Sequence, residues 1–323
     1  MEKVCKIRFC SALLAVCVLI ATIPISTSSK ATESHDDNQW QVRIDTQFSN
    51  SSQDARDGLF PAEIDYWAHE IALLNKPDEH THFGAGVIYS ELTYEDQTSP
   101  LLFLPSARSV TESVEVFFES LIPIASFQLH SRLTIGDDDH AFSRPDPFSG
   151  LTARANTSGH HFLGEVDFYT DLEILDGILL RPIIGADFVS TTIDPMVESG
   201  AGAFNLAIAQ TRDNRLRSEV GALLGTVIKD SAEGRLAVGG TVQWIRNFNT
   251  DPVLTNASTL GGFPIGEIAL FPGLDRDGAL VNGGVFWQAA NGAELTLGYE
   301  GEFYSSLQSH TFSAQLKMPI IRR

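Results

Sequence analysis

The sequence predicts an all-β protein, a transmembrane antiparallel β-barrel of about twelve strands. Three observations predict it: long strands in which every second residue is apolar, connections that alternate between long and short, and an export signal at the N-terminus. The alternation is clearest in the last 48 residues, Arg276 to Arg323. There Ala279, Val281, Gly283, Val285 and Trp287 share one face, followed by Leu295, Leu297, Tyr299, Gly301 and Phe303. After these come Phe312, Ala314, Leu316, Met318 and Ile320. The intervening positions include Asn282, Glu294, Thr296, Glu300, Glu302, Ser313, Gln315 and Lys317. Side chains on a strand alternate faces, so one face is oily and the other polar. Each run approaches the ~9–11 residues that a tilted strand needs to cross a bilayer.

In chain order, strands are expected near Trp40–Ser49, Ala62–Leu74, Phe83–Tyr94, Val110–Phe118, Ile122–Ile135 and His160–Asp171. They continue at Ile178–Ser190, at Ala203–Ile228, at Arg235–Phe248 and in the three terminal runs. Phe60, Ile64, Trp67, Ile71 and Leu74 also fit a helical period, so a helix is the alternative at Ile64–Leu74. The long connections are Asn50–Pro61, Glu95–Ser109, Gly136–Gly159, Thr191–Gly202 and Asn249–Asp275. The short ones are Asn75–His82, Glu119–Leu121, Leu172–Gly177, Lys229–Gly234 and the Asn291-Gly292 turn. Long loops on one side and tight turns on the other are the pattern of an outer-membrane barrel, with turns and both termini in the periplasm.

The polar phase is expected to face the lumen. It collects Arg43, Asp45, Arg132, Glu165, Asp167, Arg181, Asp187, Arg217, Glu219, Glu294, Glu300, Glu302 and Lys317. A charge facing lipid near mid-bilayer costs ~2–4 kcal/mol for Arg or Lys, which makes one consistent phase a real constraint. Trp40, Phe48, Tyr66, Phe83, Tyr89, Phe162, Phe168, Phe188, Trp244, Trp287, Tyr299 and Phe303 fall on the outer phase, as aromatic girdles require.

Lys3, Lys6 and Arg8 precede an apolar run, Ala12 to Ile25, and then Ser26-Thr27-Ser28-Ser29-Lys30-Ala31. That is a secretory signal peptide, residues 1–31, leaving 32–323 as the barrel. The run is shorter than the ~20 apolar residues of a spanning helix. Cys5, Cys10 and Cys17 all lie within residues 1–31, so the mature chain is expected to have no thiol chemistry. Cleavage removes four of the 22 Lys and Arg and one of the 41 Asp and Glu, taking the net charge from −19 to −22. Such a charge disfavours nucleic acid as a partner. The expected partners are outer-membrane lipid and lipopolysaccharide, the barrel-assembly machinery and periplasmic chaperones.

Several segments are similar to the C-terminal β-barrel (translocator) domain of autotransporters. They are Leu180-Arg181-Pro182-Ile183-Ile184-Gly185-Ala186-Asp187, the stretch from Glu198 to Leu206, and Arg215-Leu216-Arg217-Ser218-Glu219-Val220-Gly221. Gly298-Tyr299-Glu300-Gly301-Glu302-Phe303 and Ser309-His310 also match. The resemblance implies a pore-forming translocator in protein secretion. In that family a large passenger and a helical linker precede the barrel, whereas here the expected barrel is preceded by Thr32 to Gln39. Family barrels also tend to end on an aromatic residue, and this chain ends Pro319-Ile320-Ile321-Arg322-Arg323. The expectation is therefore a translocator-type barrel without a passenger, either a remnant or one acting on a separately encoded partner. A stand-alone pore or surface barrel with acidic loops is the alternative.

No enzyme, cofactor or metal is expected. Gly136-Asp137-Asp138-Asp139-His140 falls in an expected loop, where a rim protease of the omptin type would place acids and histidine. Contiguous Asp after Gly is more often turn chemistry. His80, His82, His160 and His161 come in pairs without further ligands at recognised spacing.

Overall fold

The structure, a computed structural model, describes residues 39–54, 61–78, 80–96, 107–146, 150–260, 264–271 and 273–320. The expected signal peptide and the Arg322-Arg323 terminus lie outside them. Seventeen strands occur among the described residues. The first eight are β1 (Gln39–Gln53), β2 (Ala62–Lys76), β3 (His82–Asp96), β4 (Arg108–Ile124), β5 (Phe127–Pro145), β6 (Thr152–Tyr169), β7 (Leu172–Leu175) and β8 (Ile178–Ile193). Then come β9 (Met196–Val197), β10 (Leu206–Ile208), β11 (Thr211–Ser231), β12 (Gly234–Asn247) and β13 (Val253–Thr259). The last are β14 (Pro264–Phe271), β15 (Asp277–Ala289), β16 (Glu294–Phe303) and β17 (Leu307–Pro319). No described helix is long and apolar enough to cross a membrane.

Twelve of these strands form one antiparallel ring in the order β11-β12-β15-β16-β17-β1-β2-β3-β4-β5-β6-β8, and β8 pairs back with β11 to close it. Closure leaves no sheet edge, the condition for a sheet to stand in lipid. The short β7 pairs with β8 beyond the end of β6. On the outside, the barrel exposes large apolar residues such as Ile44, Ile71, Phe118, Ile184, Val242, Leu297 and Phe312. From β17 the outward row runs from Phe312 to Ile320, which rises about 20 Å at a barrel's tilt. The oily surface is outermost because its solvent is hydrocarbon.

The strand expected at Ala62–Leu74 is present as β2, rather than the alternative helix; inward Ala68, Ala72 and Leu74 are apolar as well, which blurs the two-residue period. Four expectations need correction. Tyr66 faces inward, since it pairs with Ser49 beside the outward pair Phe48–Trp67. Glu119–Leu121 is not a turn: β4 continues to Ile124, and the chain reverses at Ala125, which has a positive φ of 56°. Gly136–Gly159 is not a loop but mostly a tall hairpin, in which β5 and β6 stay paired up to Pro145 and Thr152. The expected strand Ala203–Ile228 is also split, because β10 stands apart from β11.

The loop end carries a second, four-stranded sheet, β14-β13-β10-β9, built from the connections β8–β11 and β12–β15. Met196, Leu206, Ile208 and Ala257 bury themselves there with Ala155 of β6, and Phe142 of β5 packs on them. Arg144 of the tall hairpin donates to Glu198 at 3.2 and 2.7 Å, and Glu198 accepts the Leu206 N–H at 2.8 Å. At the opposite end, the His80 N–H holds the Asp78 carboxyl below its usual pKa range. A closed ladder predicts slow opening in detergent. Refolded protein should therefore run faster on gels unheated than boiled, and a species with no heat-dependent shift would contradict closure.

Candidate functional site

Because alternate residues share a face, the charged phase converges on the barrel interior, and ion pairs there join strands that are not neighbours. The densest group is near the turn end. Arg43 on β1 donates from Nε to Glu70 on β2 at 2.7 Å. Its Nη1 and Nη2 donate to Glu119 on β4 at 2.7 and 2.6 Å. Arg132 on β5 reaches back to Glu70 at 2.6 Å, and its guanidinium lies 4.1 Å from the centre of the Phe117 ring. Arg43 approaches the same ring at 5.6 Å.

Neighbouring strands lie about 4.8 Å apart, so a β1–β4 contact requires side chains to lie flat over two strands. Gly84 and Gly86 on β3 leave the space. A Cβ at Gly84 would meet Glu119 Cγ at 2.8 Å, and one at Gly86 would meet Phe117 Cε1 at 2.6 Å. Phe117, Leu74 and Ala72 are fully buried beneath the ion pairs, which makes this wall a packed core rather than a wet surface.

Around the remaining wall, Arg217 on β11 donates to Asp187 on β8 at 2.6 Å and to Glu302 on β16 at 2.8 Å. Glu300 lies on the same face of β16, opposite Asn282. Lys317 and Lys76 flank Glu294 at 4.0 and 3.9 Å. Asp45 accepts from Gln315 at 2.9 Å. Arg181 pairs with Asp171 at 2.6 Å and lies 4.3 Å from the Tyr169 ring centre. Glu165 and Asp167 stand together on β6 with His130 of β5, and Glu219 lies beyond Gly185.

Glu70, Glu119, Phe117 and His130 were not among the expected lumen residues. Glu119 had been placed in a turn, and nothing local marks Glu70 as a partner of Arg43. His82, expected in a turn, opens β3 with its Nε2 3.7 Å from Glu119. At the loop end, Asp138 and His140 point inward, while Asp137 and Asp139 lie on the alternate face. His161 Nδ1 is 2.9 Å from Asp138, and Ser113 Oγ donates to that same carboxylate at 2.6 Å. A nucleophile needs the imidazole rather than the carboxylate beside it, so this is not the connectivity of a catalytic triad. The group instead ties the tall hairpin to β4.

A closed twelve-stranded ring with charges inside and apolar residues outside narrows the comparison to outer-membrane barrels. The family model for the autotransporter β-domain matches residues 43–300. The chain belongs to the autotransporter β-domain family. Among solved structures, this β-domain is similar to the translocator domain of the autotransporter NalP from Neisseria meningitidis. The TM-score is 0.68 at 13% identity, over 90% of this chain and 89% of that one. The β-domain of the Bordetella autotransporter BrkA gives 0.61 at 11% identity, over 87% and 99%. The transport unit of AIDA-I from Escherichia coli gives 0.52 at 9% identity, over 93% and 95%. At these identities the likeness is one of fold. No curated protein matches the sequence.

Proposed function

We propose that this β-domain works as a translocator, passing an extended polypeptide across the outer membrane along one wall of its lumen, with its turns and both chain termini facing the periplasm. The observation that carries this reading is the asymmetry of the interior. The β1–β5 wall is packed and cross-linked by Arg43, Glu70, Glu119 and Arg132. The β12–β17 wall presents small inward residues, including Gly239, Asn282, Gly284, Thr296, Gly298 and Ser313, all of them only half-buried. Small polar side chains offer an extended chain hydrogen bonds without apolar anchoring, so it can slide.

The test is an epitope tag placed between the signal sequence and Gln39 on about forty unstructured residues, enough to cross the ~40–45 Å of bilayer twice even without full extension. The tag should become accessible to protease on intact cells. A tag that stays protected while the barrel inserts normally would overturn the translocator reading.

A second reading, a stand-alone pore, is favoured by the excess of inward acids. Arg43 and Arg132 are engaged by Glu70 and Glu119, and Arg217 by Asp187 and Glu302, while Asp45, Glu165, Asp167, Glu219 and Glu300 add further negative charge. Rings of acid select cations. In a salt gradient the reversal potential should therefore show cation preference through a weakly conducting pore. Anion selectivity would refute the lumen assignment, and absence of current would favour a plugged barrel.

A further inference from the structure

We propose that His130, Glu165 and Asp167 form a divalent-cation site on the inner wall of the barrel, suited to zinc. His130 on β5 pairs directly with Asp167 on β6, and Glu165 sits two residues along on the same face. One ligand atom from each lies within 4.8 Å of the others. His130 Nδ1 is 3.3 Å from Asp167 Oδ2 and 3.9 Å from Glu165 Oε1. Two ladder neighbours and a position two residues on are held by backbone pairing, so the donors are arranged before any ion arrives.

The charge around the site points to an ion. An oxygen of each carboxyl group lies within 4.8 Å of one from the other. Two carboxylates that close repel each other, and a cation between them relieves the repulsion. The base in register with Glu165 is Arg132, but its guanidinium is turned away to Glu70 and the Phe117 ring. Asp167 Oδ1 is buried and has no hydrogen-bond partner. It occupies the space over Gly185 that a Cβ would fill, and the Glu219 carboxylate borders the same space.

The donor set selects among ions. An imidazole nitrogen with two or three carboxylate oxygens suits zinc and its neighbours, whereas calcium and magnesium favour sites of oxygen alone. Three protein ligands on two neighbouring strands would also clamp β5 to β6.

The experiment titrates zinc into the refolded mature protein in detergent by calorimetry, with cobalt absorption as a second readout of coordination. One saturable equivalent is expected, with a tetrahedral cobalt band and a higher temperature for loss of the compact, unheated gel form. His130→Ala and Asp167→Asn should weaken binding on the order of 100-fold. His69→Ala, a change on the outer face, should leave it unchanged. The near-isosteric His130→Gln and Glu165→Gln serve if either first variant fails to give a heat-modifiable band. The proposal is overturned by no saturable zinc binding. Zinc binding that survives substitution of His130, or is lost equally in His69→Ala, would also overturn it.

Discussion

Leu297→Arg should nearly abolish assembly of the barrel, while Thr296→Arg should be tolerated. Leu297 lies on the outward face of β16, is half exposed, and pairs with Val285 and Ala314 in the middle of the apolar band. An arginine there would place its charge in hydrocarbon at a cost of ~2–4 kcal/mol, a factor of about 30 even at the lower end. The side chain cannot turn inward, because the ladder fixes the face of every residue. Thr296, one position away, pairs with Phe286 and Gln315 on the polar phase, where an added guanidinium has Glu294 two residues along the same face. The comparison is read as the yield of the heat-modifiable species in outer membranes. Equal yields from the two variants would show that the face assignment of β16 is wrong.

The second large effect is expected at Glu119. Its side chain is 2% exposed and accepts two bonds from Arg43, whose own side chain is 9% exposed. Glu119→Leu would leave Arg43 facing Glu70 alone, in a wall already packed by Phe117 and Leu74. Breaking a buried pair from one side costs about 3–5 kcal/mol, because the remaining charge loses its partner but stays out of water. That corresponds to a fall of roughly 10 °C in the temperature at which the compact form is lost. The double change Arg43→Met with Glu119→Leu should recover much of the loss, since it removes both charges. If the double variant is as unstable as the sum of the singles, the two residues do not act as a pair.

The sequence was read correctly where lipid and lumen make opposite demands on alternate residues. In β15, β16 and β17 that demand holds along almost the whole strand, so the faces of Trp287, Leu297 and Phe312 were legible from spacing alone. It fails in β2, where Ala68, Ala72 and Leu74 face inward beneath Phe117 and make both faces apolar; Tyr66 was misplaced for that reason. It fails again above the apolar band. Beyond Ile135 the outward residues of β5 are Asp137 and Asp139, as polar as the inward Asp138 and His140, and a continuous strand reads as a loop. The turn after β4 was missed because Ala125 takes the left-handed conformation without a glycine to announce it.

By itself, the sequence determined the class of fold, the approximate strand count and the face of most residues. Each of these depends on a local two-residue period imposed by the solvent on either side. Only the tertiary structure decided which charges meet. Arg43 finds Glu119 three strands away because the barrel closes with a particular stagger and Gly84 and Gly86 clear the path between them. His130 finds Glu165 and Asp167 because the β5–β6 register sets them opposite. Register and closure are global properties of the ladder, and no spacing along a single strand encodes them.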